Sequence, residues 1–181
     1  MNMGLITSLI VGGLLLIAMF AINGRLSENS GMKTLQLVTK QKVETITEYI
    51  THDFRKAGVG ITSGVKVIQA TNRRFQFRMT NLDGTNSNIR WEWKTDEPVG
   101  ETVNPDDFKL YRIADGDTTD FGSGIVNFRL TYFNAVGDTT LVTTDVRQLR
   151  VRLIVESDAP YDLEYSRSYW ETDITPRALM Y

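Results

Sequence analysis

The run LITSLIVGGLLLIAMFAI, Leu5 to Ile22, constrains this chain more than any other stretch. It carries no charge, and Thr7 and Ser8 are its only polar side chains. As an α-helix rising about 1.5 Å per residue it would be roughly 27 Å long, close to the hydrocarbon thickness of a bilayer. No Lys or Arg stands in front of it, and Ala18 and Ala21 are wrongly spaced for an A-x-A cleavage site. The expectation is therefore a retained helix rather than a removed secretory signal. Arg25, Lys33, Lys40 and Lys42 follow the run. Charge bias alone would place the C-terminal side in the cytoplasm, but long domains translocate largely regardless of charge, so orientation stays open.

From Arg25 the sequence turns polar and keeps a helical rhythm. Val43, Ile46, Ile50, Phe54 and Ala57 recur at steps of three or four and make one apolar stripe, which Leu35 and Val38 extend backwards. Lys42, Glu44, Glu48 and Lys56 lie off it. Gly58 and Gly60 stand where a C-terminal cap belongs, and Arg55 and Lys56 suit the negative end of the helix dipole. One helix from about Leu5 to Ala57 is expected, bent or loosened between Asn23 and Gly31, where Gly24 weakens it. Two helices joined by a loop there are the alternative.

After Gly60 the period drops to two. Val65–Ala70, Arg74–Thr80, Ile89–Thr95, Phe108–Ile113 and Ile125–Phe133 read as strands. Asp83-Gly84 marks a turn, and 96–107 and 114–124 read as loops. Leu141–Glu156 has the length of one bulged strand or two short ones. Leu149, Val151, Leu153 and Val155 point inward there, Arg150 and Arg152 outward, and Arg147, although in phase, is placed at the edge. The tail from Ser168 offers a last edge strand ending near Pro176. The expected fold is α+β, a long N-terminal helix on an antiparallel sheet head. Its parts are an apolar membrane or filament-core helix (1–24), an amphipathic continuation (25–58) and a β-rich head (59–181).

The bulk numbers narrow the chemistry. The head of about 120 residues is large enough for one core. A net charge of -2 gives no basic field, so no nucleic-acid partner is expected. With no cysteine there is neither disulfide nor thiolate chemistry. His52 adjoins Asp53, but neighbours on a helix are expected to point apart, which favours a solvated helix face over a proton-transfer pair. Asp115, Asp117 and Asp120 have the oxygen density that Ca²⁺ takes. Their D-x-D-x-x-D spacing departs from an EF-hand loop, which ranks a polar turn ahead of a calcium site. Trp91, Trp93, Tyr111, Tyr132, Tyr161, Tyr165, Tyr169 and Trp170 read mostly as core and sheet packing, with a glycan-stacking surface as the alternative. Gly12-Gly13 suits close approach between apolar helices. No G-x-S-x-G, P-loop, H-E-x-x-H or paired catalytic carboxylates occur, so no enzyme is expected.

The order of three stretches resembles the type IV pilin and pseudopilin family, especially its larger minor-pilin-like members. They are the apolar N-terminus MGLITSLIVGGLLLIAMFAI, the helix-ending DFRKAGVG (Asp53–Gly60), and the paired GIVNFRLTYFNAVGD (Gly124–Asp138) and DVRQLRVRLIVES (Asp145–Ser157). The resemblance covers most of the chain. It implies a filament subunit that polymerises through its N-terminal helix, waiting in the inner membrane and then passing into an extracellular filament or a periplasmic pseudopilus. Its partners would be copies of itself or other pilin-like subunits, meeting through Leu5, Leu9, Gly12, Gly13, Leu15, Leu16 and Phe20. It also implies processing at Gly4-Leu5, without the family's basic leader. That cut would make Leu9 the fifth residue, where the family carries Glu; if Met3 came first, Thr7 would be fifth. An uncharged fifth residue fits a subunit at a filament tip and equally a divergent lineage. The alternative function is a membrane-tethered extracytoplasmic domain whose head binds a glycan or a protein.

Overall fold

The computed structural model describes residues 3–181; the side chains of Leu5, Ser27 and Asn29 lie outside the described set. One helix, α1, runs unbroken from Met3 to Arg55. The two-helix alternative is thereby overturned. A glycine inside a helix costs about 1 kcal/mol relative to alanine, too little to break a hydrogen-bond ladder that continues on both sides. The helix stops where glycines take over, with Gly58 and Gly60 at positive φ and the Gly58 amide donating to the Arg78 carbonyl at 2.8 Å.

Eight strands follow in two antiparallel sheets. The first has the order β1 (Val67–Ala70), β2 (Arg74–Thr80), β3 (Asn86–Pro98), β4 (Phe108–Ala114) and β5 (Asp117–Asp120). The second has β6 (Ile125–Phe133), β7 (Gln148–Glu156) and β8 (Arg167–Ile174). The α+β architecture expected from the sequence is what forms, with α1 packed against β7 and β8. The head-facing stripe Val43, Ile46, Ile50, Phe54 and Ala57 is buried in one core with Phe128, Leu130, Val151 and Leu153. Phe54 sits edge-on to Phe75, Phe77 and Trp91 at 5.0, 6.2 and 6.0 Å, so the end of the helix is socketed in aromatic rings of the five-stranded sheet.

Three expectations need correction. The stripe does not continue through Val38, which is exposed; Thr39 takes the buried position, its hydroxyl bonded within α1 and 3.2 Å from Ser168 Oγ. A hydroxyl fits there because the first residues of β8 offer polar partners rather than an apolar face. The segment 114–124 is not only loop. Asp115 and Gly116 both take positive φ and turn the chain into β5, an all-exposed strand with no apolar alternation to announce it. Residues 141–147 form no strand. Leu141 and Val142 are exposed, Asp145 closes a turn on Val142, and only Val146 enters the core.

Candidate functional site

Along α1 the surroundings divide sharply. The head begins to cover the helix near Gly31, where an added β-carbon would stand 2.7 Å from the Tyr161 ring. Thr39 is the first fully buried residue after it. Before Gly31 the described residues are exposed, apart from the half-buried Gly12. The apolar window is 0% buried, and it is the one candidate membrane span among the described residues. Leu9, Leu15, Leu16 and Phe20 are all more than half exposed, and Gly12 and Gly13 have nothing within 4 Å that an added β-carbon would meet. The Leu5 side chain lies outside the described residues. Gly4 is exposed on the helix. Leu9, Gly12, Gly13, Leu16 and Phe20 recur at steps of three or four and so share one face of the helix, with Leu15 off it, on a segment whose other described apolar side chains are exposed as well.

The clamped half is fixed by a buried ion pair. Asp53 lies in the last turn of α1, where the helix dipole disfavours an anion. Its Oδ2 accepts from Arg112 Nε at 2.6 Å and from Trp91 Nε1 at 2.8 Å, and its Oδ1 faces Arg112 Nη2 at 3.3 Å. Trp91 and Arg112 stand directly opposite each other on β3 and β4, so one cross-strand pair supplies both donors. His52 Nδ1 comes within 3.4 Å of Asp53 Oδ1, and Lys56 Nζ lies 2.8 Å from His52 Nε2. The expectation that His52 and Asp53 point apart is thus corrected. Asp53 is buried while His52 sits on the rim above it, and the imidazole leans over the carboxylate. Arg112 and Trp91 both aim their donors at one carboxylate that is 2% exposed, while the Lys56 ammonium stops at the far side of the His52 ring.

The remaining sequence candidates do not converge. Asp115 Oδ1 accepts the Asn88 amide at 2.7 Å. That hydrogen bond, and then one from Ser87, hold the Asp115 carboxyl below the ordinary range. Asp120 faces Lys109 at 3.6 Å and accepts from the Gly122 amide, and Asp117 is exposed at the start of β5. Among the described residues no group of three His, Asp or Glu side chains is placed to hold a metal ion. The aromatic residues are spread through the head. Trp91 and Tyr132 are core, Trp93 packs on Phe108, and Tyr161 covers Gly31. Tyr165 reaches the Val103 carbonyl, Tyr169 is exposed, and Trp170 lines a shallow groove beside α1. No family model matches the sequence, and no curated protein is significantly similar to it.

Proposed function

We propose that this protein is a structural subunit of a type IV pilus-like or pseudopilus filament, polymerising through the apolar first half of α1. The observation that carries this reading is the division of one unbroken helix into a half clamped by the head and a half whose apolar window is 0% buried. An apolar surface of that length needs a lipid or protein environment, and burying it yields about 25 cal/mol per Å² removed from water. Before assembly the segment rests in the inner membrane. Afterwards it packs with copies of itself or other pilin-like subunits, in an extracellular filament or a periplasmic pseudopilus. A repeated contact that does not close on itself generates a fibre. The head has its own core and decorates the surface. The role needs neither a catalytic group nor a cofactor.

The test is Leu15→Lys in the natural host. A lone ammonium at mid-segment has no partner in lipid or in an apolar bundle. The variant should disappear from both the membrane fraction and sheared filaments. Its normal assembly would refute the reading. Wild-type chain that stays in the membrane and never enters filaments would favour a tethered binding domain instead.

A further inference from the structure

The outward face of the three-stranded sheet carries an arrangement that folding does not explain. Register places Arg129 of β6 directly opposite Arg152 of β7, with Thr131 opposite Arg150. Like charges in directly opposed positions destabilise a strand pair. Two of the three guanidinium groups are satisfied. Arg150 makes a two-point pair with Asp173, Nε to Oδ1 at 2.7 Å and Nη2 to Oδ2 at 2.9 Å, and lies over the Phe133 ring. Arg152 donates to Glu171 Oε2 at 2.7 Å and lies over the Tyr169 ring. Glu171 also accepts from the Tyr169 hydroxyl at 2.7 Å. Arg129 is exposed and, among the described residues, has no carboxylate within ion-pair reach. Arg129, Thr131, Arg150, Arg152 and Glu171 together line a cavity of about 170 Å³.

We propose that this cavity is a binding site for an acidic sugar, with the Arg129 guanidinium taking a single sugar carboxylate. Arg150 and Arg152 are held in place by their own partners, so the donor left over in the cavity lining is Arg129. A guanidinium fork matches a carboxylate in geometry and charge. The charge count selects the ligand class. Four guanidinium groups, Arg129, Arg150, Arg152 and Arg167, meet three carboxylates, Glu156, Glu171 and Asp173, in the outward phase of this sheet, an excess of one positive charge in a chain whose net charge is -2. That single excess charge suits a uronate, whose carboxylate is flanked by neutral hydroxyls for Thr131 and Glu171 to meet. It does not suit a nucleic acid, which presents a charge about every 1.7 Å of duplex. The site is independent of whether α1 meets lipid or other helices.

The experiment titrates tetragalacturonate into the full chain in detergent micelles, following heat and the Arg Nε–H resonances. Controls are a neutral galactose tetramer, inorganic phosphate and a single-stranded oligonucleotide. Saturable binding with a shift of the Arg129 resonance is expected, weakened at least tenfold in Arg129→Gln and unchanged in Arg55→Gln. Arg129→Gln should keep or raise the melting temperature, because it removes a like-charge pair; a fall would contradict the claim that Arg129 serves no purpose in folding. No saturable binding, equal binding by Arg129→Gln, or binding of the neutral tetramer, phosphate or oligonucleotide as tight as that of tetragalacturonate would each overturn the proposal.

Discussion

Arg112 grips Asp53 through two guanidinium nitrogens and thereby ties the last turn of α1 to the middle of β4. Removing one partner of a buried pair leaves the other charge uncompensated, at about 3–5 kcal/mol. Arg112→Leu and Asp53→Leu should each lower the unfolding free energy by that order, measured by denaturant titration of the full chain in detergent. The double variant should recover part of the loss, since no orphaned charge remains. Additive losses would mean that the pair is not the joint.

Ile50 is 0% exposed at the centre of the helix–head contact. Ile50→Asp should unfold the head, because a buried carboxylate without a partner costs several kcal/mol. Near-native circular dichroism at 37 °C would show that the stripe does not hold the head.

Gly31 and Tyr161 mark where the head first reaches the helix. Gly31→Ala should favour helix locally by about 1 kcal/mol while pushing the Tyr161 ring away. Faster amide exchange confined to residues 158–165, with no loss of overall stability, is the expected result. Unchanged exchange there would mean that the ring does not bear on the glycine.

Much of this fold is legible in the sequence because two periodicities carry it. Val43, Ile46, Ile50 and Phe54 repeat at helical spacing, and Leu149 to Val155 alternate, and each set is buried. The joint was legible in part. Asp53 sits beside Phe54 on the buried side of α1, and Arg112 shares the inward phase of Leu110, yet neither signal names the other. Only the register that opposes Trp91 to Arg112 brings them together. Strand β5 escaped because all four of its residues are polar and exposed, so Asp115-Gly116 was its single announcement. The single helix expected from Leu5 to Ala57 formed, and the alternative break between Asn23 and Gly31 did not. Local propensity is weak against a continuous ladder, and Gly31 serves to admit the Tyr161 ring.

The cross-strand pairs on the outer sheet face should give the head an acid-sensitive component. The Tyr169 hydroxyl, and then the Arg152 guanidinium, hold the Glu171 carboxyl below its ordinary value, and Arg150 does the same for Asp173. A carboxyl with a depressed folded pKa stabilises fully above its unfolded pKa, about 4.3 for Glu, and loses that contribution as pH falls through the folded value. Glu171→Gln should therefore melt below wild type at pH 6, with the gap closing below about pH 4. A gap that does not narrow at all as pH falls below about 4 would point to packing rather than charge.

The central claim is that the bare half of α1 is the polymerisation element and the head is a separately folded surface unit. Filament yield by electron microscopy of sheared fractions from the natural host, comparing the full chain with a chain lacking residues 1–24, tests it most directly. A soluble, monomeric, folded head that never enters filaments is the expected result. A truncated head that still polymerises would contradict it and leave the helix as an anchor alone.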